Sequence, residues 1–338
     1  MINLYSDTQT RPSEGMRRAM YEAEVADEQR RIDPTVNKLQ ERVAELLGKE
    51  AALFLPSGTM CNAISFRLHI DKGGDEVILH ESAHPIIAEA GGPAAISGAM
   101  MKPLVAPGGI FSAEQVEAAI RPIDRYMPRS RLVSVEQTTN MGGGRVWPQE
   151  TLRAVVDVAK RHHMRAHMDG ARLMNAAVAS GVPAAEHTAG FDTAWVDFTK
   201  GLGAGVGASM AASSELIEEA WRYKQMWGGS FRQAGSIAAA CLYALDNNVE
   251  RLAEDHENAR VLADGLAQIP GVEIDPATVE TNIVIFDVPD PRGLVEALAG
   301  EVELSTADGG RRVRAVTHLD VSRDEIDQAL TRISAAVR

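Results

Sequence analysis

"MRAHMDGARLMN", residues 164–175, and "TAWVDFTKGLGAGVGA", residues 193–208, decide the fold. Each opens as a short β-rich run and ends abruptly in chemistry. The first ends in Asp169, Gly170 and Arg172, the second in Lys200 and a glycine-rich tail. A carboxylate, a guanidinium and a lone amine are costly to bury unless they are paired or used. Outward from these runs, "AALFLPSG" (51–58), "DEVILH" (75–80) and "RLVSVEQT" (131–138) read as further strands. Residues 34–47, 58–68, 113–120 and 147–162 read as helices between them. Such alternation predicts an α/β fold, a mainly parallel sheet with helices on both faces. Ligands then bind outside the carboxyl ends of the strands, where Ser57, His80, Glu136, Asp169 and Lys200 all fall.

Helix signals support this reading. In "DPTVNKLQERVAELLG", Asp33 stands at the cap and Pro34 at the first helical position, with Gly48 closing the run. "SAEQ" at Ser112 is a capping-box pattern. From residue 214 to about 269 the pattern is helical, with a break at Gly228-Gly229. "TNIVIF", "GLVEALAG", "RVRAVTHL" and "SRDEIDQALTRISAAV" then form a strand–helix–strand–helix series. We expect a large domain over residues 1–245, N-terminal segment included, and a smaller α+β domain over 246–338.

The 338 residues carry a net charge of −13, which disfavours nucleic acid and anionic membranes as partners. Two cysteines, Cys61 and Cys241, read as reduced core residues. With no basic-plus-apolar leader and no apolar run near the roughly 20 residues of a membrane span, a cytoplasmic setting is expected.

Three motifs lack their structural context. "HESAH" (80–84) matches a zinc-protease pattern, yet His80 ends a strand, so the two rings do not share a helix. In "HHMRAHMD" the first two histidines end a helix and His167 lies in a strand. "GAGVGA" (203–208) fits a dinucleotide fingerprint, but it follows a lysine and leads into a small-residue strand rather than a helix.

A constellation carries more. A lysine can form a Schiff base with an aldehyde, and a pyridoxal phosphate site also needs an acid for the pyridine nitrogen, a flat group over the ring and donors for the phosphate. Lys200, Asp169, His84 and "PSGTMCN" with Ser57, Gly58 and Thr59 supply these, and Thr199 adds a hydroxyl. Taken singly, Asp169 reads as a helix cap, Lys200 as a solvated turn lysine and His84 as a structural histidine. Their joint placement makes the case.

With these residues in hand, the chain resembles the threonine aldolase and β-eliminating lyase family of fold-type I pyridoxal phosphate enzymes. The likeness runs through "NLYSDTQTRPSEGMRRAM", "DPTVNKLQERVAELLGKEAALFLPSGTMCN", "AHPIIAEAGG", "HMDGARLMNA", "TKGLG", "GGSFRQAG", "YALDNNVERLAEDH" and "VTHLDVSR". It implies that Lys200 binds the cofactor aldehyde, Asp169 pairs with the ring nitrogen, and His84 stacks on the ring and serves as a base. Ser57, Gly58 and Thr59 would hold the phosphate. Ser6, Arg172 and Arg314 would bind the substrate carboxylate, the arginines through planar two-point contact. Arg232 would reach a phosphate in a neighbouring subunit, with Lys224 near that shared site, in a homodimer or homotetramer.

The departures fall at the side-chain end of the substrate. The family's "ENTHN" reads "EQTTN", placing Thr139 where a histidine is usual. Arg30 precedes "DPT" where a tyrosine is usual, and Tyr126 takes another histidine's position, where it would orient the substrate hydroxyl. The expected reaction is cleavage of β-hydroxy-α-amino acids, of the L-threonine or L-allo-threonine kind, to glycine and an aldehyde. The alternatives are β-elimination to ammonia and a keto acid, and a nicotinamide-dependent oxidoreductase using "GAGVGA".

Overall fold

The computed structural model describes residues 1–337. Its strands are β1 (Ile2–Asn3), β2 (Ala51–Leu55), β3 (Glu76–His80), β4 (Met100–Leu104), β5 (Ser130–Glu136), β6 (Arg165–Asp169), β7 (Thr193–Asp197), β8 (Ala208–Ala212), β9 (Ile283–Phe286), β10 (Val302–Glu303), β11 (Ser305–Ala307) and β12 (Arg312–Val316). Seven of them form the main sheet, in the order β2-β8-β7-β6-β5-β3-β4. β7, β6, β5, β3 and β4 pair in parallel, while β8 runs antiparallel to both β2 and β7.

Alternation along each strand divides the core. Phe54, Ile78, Val133, Ala166, Met168, Ala194 and Val196 point to one face, against helices Pro34–Leu46, Gln149–Arg161 and Gly235–Asn247. Leu53, Leu55, Trp195 and Met210 point to the other, against helices Gly58–His69 and Ser214–Met226. The sequence-predicted helices recur with ends shifted by one or two residues. Pro148 caps the helix Gln149–Arg161, so Trp147 stays outside it and is buried. The Ser112 capping box forms as expected.

A second core joins helices Leu252–Leu266 and Arg323–Ala336 to β9, β12 and β10. Ile2 and Leu4 are part of it, and β1 pairs in parallel with β10. The N-terminal segment contributes to both cores, Ile2 and Leu4 to this one and Met16 to the larger one. No described helix is long and apolar enough to cross a membrane.

Candidate active site

Parallel strands bring their carboxyl ends to one edge, and a cleft of about 410 Å³ opens there. Ser57, Gly58, Thr59, His84, Asp169, Arg172, Thr199, Lys200, Ser6 and Arg314 all line it. They arrive from β2, β3, β6, β7 and β12 and from the N-terminal segment, so both lobes contribute.

Lys200 lies in the loop between β7 and β8. Its Nζ donates to Asp197 Oδ2 at 2.7 Å, and Thr199 Oγ1 donates to the same carboxylate at 3.0 Å. Asp169 ends β6. Gly170 follows because a Cβ there would stand 1.7 Å from the Trp195 carbonyl oxygen. Asp169 Oδ2 accepts from Asn62 Nδ2 at 2.8 Å and Oδ1 from the Ala171 amide at 3.0 Å. Burial, with the negative Glu136 nearby, pushes this carboxyl up to about 7 in the cofactor-free chain. His84 opens a short helix after β3. Its backbone amide donates to Glu136 Oε2 at 2.9 Å and its Nδ1 lies 2.8 Å from Glu89 Oε1. That bond to Glu89 raises the imidazole above its ordinary value against the effect of burial.

The two arginines differ. Arg172 is locked in a two-point contact with Asp7, Nε to Oδ2 at 2.8 Å and Nη2 to Oδ1 at 2.7 Å. Burial alone would raise Asp7, but the charge and hydrogen bonds of Arg172 hold its carboxyl well below the usual range. Two-point binding of substrate by Arg172 is thereby taken up; only Nη1, 3.4 Å from Asn140 Oδ1, is left towards the cleft. Arg314 is buried without a carboxylate partner among the described residues. It donates to Asn140 Oδ1 at 2.8 Å and the Tyr5 carbonyl at 3.3 Å, and its Nε has no acceptor. Burial and the neighbouring Arg172 push the guanidinium down to about 10.

Other expected residues stand outside the cleft of their own chain. Tyr126 is 76 % exposed, on a loop where Arg125 Nη2 donates to its hydroxyl at 2.7 Å. It cannot orient a substrate bound in this subunit. Arg30 is exposed, and Arg232 is exposed beside Asp27. Lys224 is fully buried in an ion pair with Glu28 between the rings of Trp221 and Phe231. Thr139 is buried in the wall behind Glu136, against Gly109 and Gly142. Gly203 to Gly207 lead into antiparallel β8 and open no helix, so the dinucleotide fingerprint lacks its context. Asp7, Asn62, Glu89, Asn140 and Asp197 are site residues that the sequence reading does not single out.

Pyridoxal phosphate fits this donor set. The amides of Gly58 and Thr59 open the helix Gly58–His69, and among the described residues they meet no acceptor. Ser57 Oγ accepts from the Met60 amide at 3.2 Å, which leaves its proton free to donate. Two donor amides at a helix N-terminus suit a phosphate, and the acid, imidazole and amine stand in the same cleft.

The model of the family described as beta-eliminating lyase matches residues 3–289. The chain belongs to that family. Within it, the chain is 39 % identical over 344 residues to low-specificity L-threonine aldolase 1 of Arabidopsis thaliana, covering 99 % of this chain and 96 % of that protein. It is 38 % identical over 327 residues to the low specificity L-threonine aldolase of Escherichia coli K12, covering 96 % of each. Among solved structures, Leishmania major threonine aldolase superposes with a TM-score of 0.85 over all of both chains at 18 % identity, which speaks for a shared fold. This beta-eliminating lyase family member is thus similar to aldolases from end to end.

Proposed function

We propose that the chain is a pyridoxal-phosphate-dependent carbon–carbon lyase that cleaves β-hydroxy-α-amino acids of the L-threonine and L-allo-threonine kind to glycine and an aldehyde. The observation that carries this reading is Arg314, a buried cation without an acid partner among the described residues that shares one cleft with Lys200, Asp169 and His84. In this reading it binds the substrate carboxylate. The likeness to aldolases over the whole chain supports the choice of reaction.

Bound there, pyridoxal phosphate supplies an aldehyde for amines and a ring that takes up the electron pair left on Cα when a bond to it breaks. Lys200 provides the anchoring amine, oriented by Asp197. Asp169 holds the proton on the ring nitrogen, and Ser57, Gly58 and Thr59 hold the phosphate. Arg314 would bind the substrate carboxylate, with Ser6 and Arg172 beside it, and so orient the substrate in the cleft. His84 Nε2 has no protein partner among the described residues and takes the β-hydroxyl proton. Glu89, bonded to Nδ1, stabilises the imidazolium that results.

Shared sites in a homodimer or homotetramer belong to this reading, since Arg232, Arg30 and Tyr126 stand outside their own cleft where a neighbour could use them. A reducing, cytoplasmic setting suits the unpaired, buried Cys61 and Cys241.

The test is product analysis on a panel of β-hydroxy amino acids. Glycine with aldehyde is expected; ammonia with a keto acid would replace this reading by β-elimination. Lys200→Ala should abolish turnover, and normal activity in that variant would end the mechanism.

A further inference from the structure

Behind Asp169 lies a row of buried polar groups to which the mechanism assigns no role; of these, only Trp195 also lines the cleft. His167 and Asp169 alternate with Ala166 and Met168 along β6, so both face the helix Gly58–His69. Thr193 on β7 is the register partner of His167, and Trp195 shares its face two residues on. The helix contributes Asn62 and His69. All five of His69, Thr193, His167, Asn62 and Trp195 are buried.

Trp195 fixes the polarity of the row. Its Nε1 can only donate, and it lies 2.8 Å from Asn62 Oδ1. The amide nitrogen must therefore face the other way, where it donates to Asp169 Oδ2 and to Glu89 Oε1, each at 2.8 Å. Oδ1 also lies 3.0 Å from His167 Nε2, so that ring nitrogen carries the proton. His167 Nδ1 then accepts from Thr193 Oγ1 at 2.8 Å, and Thr193 Oγ1 accepts from His69 Nε2 at 3.0 Å. The bonds from His69 through Thr193 and His167 to Asn62 all run in one direction, and the Asn62 amide ends them by donating to Asp169 and to Glu89. Burial pushes His167 down to about 3 and His69 to about 4, so both stay neutral near pH 7 and the direction does not reverse.

We propose that the row His69–Thr193–His167–Asn62, oriented by Trp195, is a positioning device that presents a donor to Asp169 and keeps its carboxylate charged towards the cofactor's ring nitrogen. This rests on the functional reading of Asp169 given above. Other groups compete at that carboxylate. Glu136 from β5 and Glu89 oppose its charge, His84 favours it, and the Cys61 thiol lies nearby on the helix. Burial and Glu136 raise this carboxyl while the Asn62 hydrogen bond lowers it, so loss of that donor shifts it further towards the protonated form. Asn62 also bonds Glu89, which holds His84, so one amide sets the acid below the ring and the imidazole beside it.

The test begins with cofactor-free protein. The Asp169 carboxyl is titrated by infrared absorption, assigned by difference from Asp169→Asn, in the wild type, Trp195→Phe and Thr193→Val. Trp195→Phe keeps a ring but frees the Asn62 amide to turn, and should raise the midpoint by about one pH unit, tenfold in proton affinity. Thr193→Val should raise it by less. Unchanged midpoints in the folded variants would overturn the proposal; should Trp195→Phe fail to fold, Thr193→Val decides alone. In the holoprotein, the pH dependence of the cofactor's visible absorbance should shift in Thr193→Val, which leaves the cleft lining intact, and a carboxyl shift without it would overturn the action on the cofactor. If the wild type binds no pyridoxal phosphate, the functional reading fails while the carboxyl titration still judges the row.

Discussion

Arg172 and Arg314 carry the same charge and meet opposite surroundings. Arg172 has Asp7, and neither side chain reaches water. Removing one partner of a buried pair strands the other, at about 3–5 kcal/mol. Asp7→Asn should cost on that order in denaturant unfolding at pH 7. Because the folded-state value of Asp7 is depressed, this stabilisation is complete above the unfolded carboxylate range near 3.9 and is lost as pH falls towards the lower folded value. The gap between wild type and Asp7→Asn should therefore narrow below about pH 4, and a gap that is constant with pH would contradict the pairing. Arg314 is buried at a cost that the charges of Asp7 and Glu136 offset only in part, with no direct ion pair among the described residues. Arg314→Leu should lower kcat/KM about tenfold to a hundredfold, chiefly through KM, while thermal melting is unchanged or raised. A large loss of stability with unchanged KM would remove Arg314 from the substrate site. In the sequence the two arginines look alike, and Asp7 beside Ser6 bears no periodic or spacing signal. Partners 165 and 275 positions away, Arg172 and Asn282, give Asp7 its role.

At the scale of elements, caps and strand ends were the most legible features, because they depend on near neighbours. Asp33 does more than its capping pattern shows. Its carboxylate accepts from Thr35 and Val36 in its own helix, at 3.1 and 3.0 Å, and also from the amides of Ala26 and Gly235, at 3.0 and 2.9 Å. Asp33→Ala should destabilise by about 3 kcal/mol, more than an isolated cap, since buried donors are left without acceptors. Equilibrium unfolding checks this, and a loss under about 1 kcal/mol would reduce Asp33 to an ordinary cap. Strand β4, "MMKPL", escapes sequence reading because Lys102 and Pro103 are strand-averse. An edge position tolerates both, as one side of the strand needs no partner. The antiparallel course of β8 is likewise hidden, since a strand's direction leaves no mark in its side chains.

Two cores meet across one cleft in the whole molecule, and the N-terminal segment ties them together. Leu4 is buried in the smaller lobe while Asp7, three positions on, grips Arg172 in the larger. Residues that the cleft omits are informative as well. If Arg232 serves a neighbouring subunit, Lys200→Ala and Arg232→Ala chains, each inactive alone, should regain activity when unfolded and refolded together. Mixed assemblies would then contain sites with both native groups. Failure of the mixture, with assembly shown by sedimentation, would confine each site to one chain.

Local patterning alone was enough to specify alternating strands and helices, the capped helix starts, the lysine, acid and imidazole of the cleft, and the family resemblance. These follow from properties carried by short stretches: apolar period, turn chemistry and motif spacing. The pairing of Asp7 with Arg172, the isolation of Arg314, the exposure of Tyr126 and the polarity of the row behind Asp169 were settled by folding. Each depends on which distant groups share a water-poor volume, where one donor or charge outweighs any local preference.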